Sequence, residues 1–218
     1  MKMHRQFKAL IFDLDGTLVD SAEIARRTML KWSDEMNVRF SELEDTLHSS
    51  RTEDTVRRIA PQLDAKKEAA RIEAMESEAL TSLKEINGAS ILLRQLPTER
   101  WAIATSCNLS TAIAKLSATN MPIPNVLIGA DAVRCGKPEP EPYLFTCKAL
   151  GFNPNDCLAF EDSGIGIESA LKAGCHVIVV GSSRQIHEPR IIGSIRDFRE
   201  IDFALTKSGT IEISFRPL

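Results

Sequence analysis

Short apolar runs alternate with helix-like patterns along this chain, and that alternation constrains its fold more than any other feature. The runs are Ala9–Asp13, Trp101–Thr105, Val126–Ile128, Cys157–Glu161 and His176–Val180. Strands separated by helical stretches are the sequence habit of an α/β protein with a parallel sheet. Several runs end in a polar or acidic residue: Asp13 on the first, Thr105 on the second, Glu161 with Asp162 on the fourth. In an open parallel sheet the ligand crevice lies beyond the carboxyl ends of the strands. Residues far apart in the sequence are therefore expected to converge at one edge.

Between the first two runs, from Ala22 to about Ser82, the pattern is helical and too long for a plain crossover, which needs roughly a dozen residues. Its apolar residues fall three and four apart: Ile24, Met29 and Trp32, then Val56 and Ile59, then Ile72, Met75 and Leu80. This predicts an inserted helical unit joined to the core by linkers near Leu18–Ser21 and Lys84–Gly88. The core resumes with a helix over Ala89–Leu96, stopped by Pro97. After Gly209, Thr210–Phe215 reads as an edge strand with no identifiable chemistry.

Bulk properties narrow the function. A net charge of −3 gives no overall positive field for nucleic acid. No apolar run approaches the roughly 20 residues needed to span a bilayer, and the polar start, Met1 to Lys8, is not that of a signal peptide. The odd cysteine count, with no CxxC pair, suggests reduced thiols filling the core of a cytoplasmic protein. The expected state is a monomer or a weak dimer.

The run Asp13-Leu14-Asp15-Gly16-Thr17 carries the chemistry. Its two carboxylates follow an apolar strand, and Gly16 permits a sharp turn. A carboxylate can attack phosphorus, but both partners are anionic, so a divalent cation touching both is needed to remove the repulsion. A second carboxylate nearby can protonate the leaving oxygen and later deprotonate water. An acidic pair at a strand end is equally the mark of a helix cap or a plain loop. Taken singly, Thr105 reads as a strand-end cap, Lys137 as a solvated charge, and Glu161–Asp162 as the cap of a helix starting near Gly164.

Four motifs in order remove that ambiguity. The first segment resembles the signature of the haloacid dehalogenase superfamily of phosphotransferases, and the others recur with its spacing: Thr105 after Trp101-Ala102-Ile103-Ala104, Lys137 in Gly136-Lys137-Pro138, and Glu161-Asp162 before Ser163-Gly164. The resemblance reaches to about Val180. It implies a Rossmann-like three-layer core over residues 1–17 and 87–218, with a small α-helical cap over 18–86. It further implies that Asp13 is nucleophile and metal ligand, and that Asp15 is general acid/base and binds metal through its carbonyl. By the same resemblance Thr105 and Ser106 bind the phosphoryl group, Lys137 neutralises charge, and Glu161 and Asp162 help to hold Mg²⁺. The polar turn ahead of the second cap helix is similar to the family's specificity loop, with Arg51 and His48 placed to reach the hydroxyls of a sugar or polyol.

The implied activity is Mg²⁺-dependent hydrolysis of a small phosphorylated metabolite, a sugar or polyol phosphate. The cap loop departs from the relatives at Ser49, where they carry glycine. A mutase of the β-phosphoglucomutase type is the nearest alternative; its cap histidine is matched here by Ala25. A non-catalytic phosphometabolite-binding protein is the alternative from another class, disfavoured by the presence of Asp13, Asp15 and Lys137 together.

Overall fold

The computed structural model describes residues 3–38, 50–181 and 188–215. The chain opens with strands β1 (Met3–Phe7) and β2 (Ala9–Phe12), a short strand β3 (Val19–Asp20), and helices α1 (Ala22–Met36), α2 (Thr52–Ile59) and α3 (Ala65–Glu78). It continues through β4 (Lys84–Glu85), α4 (Ala89–Gln95), β5 (Trp101–Ala104), α5 (Leu109–Ala118), β6 (Leu127–Ile128) and α6 (Glu141–Leu150). Then follow β7 (Cys157–Glu161), α7 (Gly164–Ala173), β8 (His176–Val180), β9 (Ile191–Ile195), β10 (Ile201–Leu205) and β11 (Ile211–Phe215).

The main sheet is parallel, in the order β6-β5-β2-β7-β8-β9. Successive strand residues feed opposite faces, as the two-residue period of a strand requires. Leu10, Phe12, Trp101, Ile103, Leu158, Phe160, Ile178 and Val180 enter one core. Ala9, Ile11, Ala104, Cys157, Ala159, Val177 and Val179 enter the other. Both faces are covered, which is why these strands read as unbroken apolar runs. Leu92, Leu93 and Leu116 from α4 and α5 pack on the first face, and Tyr143, Cys147, Ile167 and Ala170 from α6 and α7 on the second. Phe12 stacks on Phe160 with ring centroids 4.8 Å apart. Each fully buried Leu, Ile, Val or Phe among them contributes about 1.5–3 kcal/mol.

The carboxyl-terminal segment departs from expectation. β11 is the middle strand of an antiparallel sheet ordered β1-β11-β10, not an edge. Its alternating residues Ile211, Ile213 and Phe215 are buried against the first face of the main sheet. The polar start of the chain supplies one of its neighbours.

Helices α1, α2 and α3 enclose a core of their own from Met29, Trp32, Val56, Ala60 and Ile72. The Trp32 indole donates to Glu68 at 2.9 Å, so a buried ring N–H and a buried carboxylate satisfy each other. Two chain passages connect these helices to the sheet, and they pair as the ribbon β3-β4. All five cysteines are free thiols, and all but Cys135 are buried. Among the described residues no helix is long and apolar enough to cross a membrane.

Candidate active site

Strand register brings the motifs together. Phe12 is level with Ile103 on β5 and with Phe160 on β7. Asp13 therefore emerges beside the end of β5 on one side and Glu161 on the other, and its N–H donates to the Phe160 carbonyl at 3.0 Å. The chain then turns tightly: the N–H groups of Leu18 and Val19 both donate to the Leu14 carbonyl. Gly16 lies in the turn at φ +81°, and a Cβ there would sit 2.1 Å from an Asp162 oxygen. Only glycine allows both that backbone and that carboxylate.

Lys137 arrives from the loop after β6. The Glu141 carboxylate at the start of α6 accepts from the N–H groups of Arg134 and Cys135, at 3.1 and 2.8 Å, and ties this loop down. The Lys137 ammonium is buried and lies 2.6 Å from both Asp13 Oδ1 and Glu161 Oε1. Burial alone would lower its pKa, but Asp13 and Glu161 outweigh burial and hold it above the ordinary value. Glu161 is pinned on every side: Tyr143 Oη donates to Oε1 at 2.6 Å and Ser163 Oγ to Oε2 at 3.2 Å. Ser163 also caps α7 by accepting from Gly166 N. Gly166 leaves the Glu161 carboxylate its room, since a Cβ there would lie 2.1 Å from either carboxylate oxygen.

Asp13, Glu161 and Asp162 each offer a carboxylate oxygen within 4.8 Å of the others. Burial, joined by repulsion from Glu161 and Asp162, pushes Asp13 well above the usual carboxylate range against the pull of Lys137. Burial and then Glu161 push Asp162 up to about 7. Thr17 Oγ1 donates to Asp162 at 3.1 Å. Fully ionised, three carboxylates against one ammonium would carry a formal charge of about −2 in a buried place, the deficit one divalent cation would fill. All three donors are hard oxygens, which suits magnesium and not a soft thiophilic ion.

Asp15 points to a second network, one the sequence did not suggest. Its Oδ1 accepts from Ser21 Oγ at 2.5 Å and from Lys115 Nζ at 2.7 Å. Lys115 also lies 3.4 Å from Glu76 of α3. Burial opposes the Lys115 charge, but Asp15 and the other acidic groups hold its pKa above the ordinary value. Burial raises Glu76, against the pull of Lys115. Lys115 sits on the inward face of α5 with Thr111, Ala112 and Leu116. A lysine at a core-facing position of a helix is itself a signal, because lysine is rarely buried unpaired.

The remaining candidates lie at the boundary with the helical segment. Thr105 is buried at the end of β5, and its Oγ1 accepts from Cys107 N at 3.2 Å. Ser106, Asp15 and Lys115 line one small chamber together with Ala25, Ser50 and Glu76. Arg51 does not project freely. Its guanidinium grips Asp54 at 2.6 Å and donates to the Arg134 carbonyl at 3.0 Å, docking the start of α2 on the loop that carries Lys137. A substrate contact by Arg51 would require it to leave these partners. His48 and Ser49 fall outside the described residues.

Residues 10–180 match the model of the haloacid dehalogenase-like hydrolase family. The chain is 32% identical over 215 residues to hexitol phosphatase A of Escherichia coli, covering 96% of this chain and 95% of that protein. It is 30% identical to glycerol-1-phosphate phosphohydrolase 1 of Saccharomyces cerevisiae, covering 82% of this chain and 76% of that one. Its fold matches that of CbbY from Rhodobacter sphaeroides, solved with xylulose-(1,5)-bisphosphate, with a TM-score of 0.74 at 23% identity over 89% of this chain and 96% of that one.

Proposed function

The chain belongs to the haloacid dehalogenase-like hydrolase family, and from that premise we propose that it hydrolyses small sugar or polyol phosphates through an aspartyl-phosphate on Asp13. The observation that carries this reading is the buried Asp13 carboxylate, 2.6 Å from Lys137 and grouped with Glu161 and Asp162 at one sheet edge. Grouping three acids there is costly, because each raises the cost of the others. Phosphoryl transfer needs such a cluster.

Asp13 attacks phosphorus in line while Asp15 gives its proton to the departing alcohol oxygen. Asp15 then takes a proton from water, which attacks the same phosphorus and returns Asp13 as a carboxylate. Lys137 offsets the charge on Asp13 and on the transferring oxygens, and Thr105 and Ser106 hydrogen-bond those oxygens. Glu161, held by Tyr143 and Ser163, keeps the Lys137 ammonium in place. Asp13, the Asp15 carbonyl, Glu161 and Asp162 are the groups that would hold Mg²⁺, which supplies charge neutralisation between nucleophile and phosphate.

Residues 18–86 act as a cap that admits the substrate and shuts out bulk water. The β3-β4 ribbon and the separate core around Trp32 support a body that moves as a unit on two linkers. The names of the relatives, a hexitol and a glycerol-1-phosphate phosphatase, support a hydroxyl-rich substrate.

The test is phosphate release from hexitol, glycerol, hexose and nucleoside monophosphates, with Mg²⁺ and with chelator. The expected result is metal-dependent release concentrated on the polyol and hexose esters, absent in Asp13→Asn. Equal rates from wild type and Asp13→Asn would sink the assignment.

A further inference from the structure

Lys115 has no part in the chemistry above, yet it is the one buried ammonium besides Lys137 among the described residues. It stands between two carboxylates from different parts of the molecule: Asp15, on the turn after β2, and Glu76, on helix α3 of the helical segment. The same two helices meet a second time nearby, where Asn108 at the start of α5 donates to Glu73 of α3. The contact of α3 with α5 thus rests on two acidic residues, one of them on the lysine that touches Asp15.

Lys115 and Ser21 both donate to Asp15 Oδ1. Two donors on one oxygen fix the rotation of a carboxylate that otherwise turns easily about its last torsion. A lysine on a flexible four-carbon stem does not hold such a position by itself. Its ammonium, with the side chain only 4% exposed, is withdrawn from bulk solvent and is seated by the charges on both sides. When α3 lies against α5, Glu76 supplies one of those charges. When the helical segment swings away, Glu76 leaves with it and Lys115 regains solvent and freedom.

We propose that Lys115 is the positioning residue for Asp15, and that Glu76 makes this positioning conditional on the helical segment being seated on α5. The inference rests on the reading of Asp15 as general acid given above. Its consequence is that protonation of the leaving group is ready only in the closed form.

The experiment compares kcat/KM of wild type, Glu76→Gln, Lys115→Gln and the double variant on propyl phosphate, glycerol phosphate and 4-nitrophenyl phosphate. The alkyl esters have poor leaving groups that need a proton, and the aryl ester does not. A full general acid contributes about 10²–10⁴-fold. The expected losses on both alkyl esters are therefore about 10-fold for Glu76→Gln and about 100-fold for Lys115→Gln, with less than about 3-fold on the aryl ester. The double variant should be no worse than Lys115→Gln, since Glu76 acts through the lysine. Equal losses on alkyl and aryl esters would mean a merely structural role and overturn the inference, as would additive losses in the double variant. Loss confined to glycerol phosphate would make Glu76 a substrate contact and also overturn it. Glu76→Gln changes no volume, so it answers the question even if Lys115→Gln fails to fold. A wild type inactive on these three esters and on hexitol and hexose phosphates defeats the phosphatase reading and this inference with it, whereas an active wild type matched by its variants defeats the inference alone.

Discussion

Replacing Gly166 by alanine sets two physical effects against each other in one helix. Gly166 lies within α7, where alanine is favoured over glycine by about 1 kcal/mol on propensity alone. The added Cβ, however, would lie 2.1 Å from both oxygens of Glu161. A flexible side chain would step aside cheaply, but Glu161 is fully buried and held by Lys137, Tyr143 and Ser163. Overpacking of this kind costs about 1–3 kcal/mol, so the net effect is a destabilisation of about 0–2 kcal/mol. For a chain of this size that lowers Tm by at most about 8 °C. Activity should suffer more, because Glu161 carries the Lys137 ammonium with it, and a displacement of about 1 Å at a reacting group costs about 100-fold. Gly164→Ala is the internal control: it sits at the start of the same helix, exposed, with nothing within 4 Å of a new Cβ. Thermal melts and phosphate release on the two variants decide the matter. Gly164→Ala should match or slightly exceed wild type in Tm and keep its activity. If Gly166→Ala were as stable and as active as Gly164→Ala, the Glu161–Lys137 account of the site would be wrong.

Other consequences can be checked in parallel. Burial raises the Glu73 pKa from 4.5 to about 7, so its contribution to stability is full below the unfolded value and lost as pH rises through about 7. Glu73→Gln, a mimic of the protonated acid, should melt progressively higher than wild type between pH 4.5 and about 7 and keep that advantage above; parallel curves would contradict this. Trp32→Phe removes the indole N–H from Glu68 and should cost about 1–3 kcal/mol in denaturant unfolding, with a smaller effect on kcat; an unchanged midpoint would show the pair to be idle. Adding Mg²⁺ should raise the Tm of wild type and raise that of Asp162→Asn less, because the substitution removes one of three negative charges; an equal rise in both would place the cation elsewhere.

The parallel sheet was legible because its strands are covered on both faces and so appear as apolar runs. The convergence of Asp13, Thr105, Lys137 and the Glu161–Asp162 pair was legible because each sits at a strand end or in the loop just beyond it. β1, with the sequence Met3-His4-Arg5-Gln6-Phe7, gave no such signal: its pairing with β11 rests on the backbone ladder and on His4 reaching Glu212, and its middle residues face water. The alternation in Ile211–Phe215 marked a strand, but its central place depended on partners at the far end of the chain. Lys115 went unread for a related reason. Its partner Asp15 is a hundred residues away, and a single lysine in a helical pattern looks like surface until its face is known. Arg51 was visible as the residue ahead of α2, but not its grip on Asp54 and the Arg134 carbonyl.

The central claim is that phosphorus is attacked twice, first by Asp13 and then by water. The stereochemical course at phosphorus tests it most directly, using an isotopically chiral thiophosphate analogue of the preferred ester hydrolysed in labelled water. Two in-line displacements each invert the centre, so the account predicts net retention. Net inversion would mean that water attacks the ester directly, and Asp13 would then not be the nucleophile.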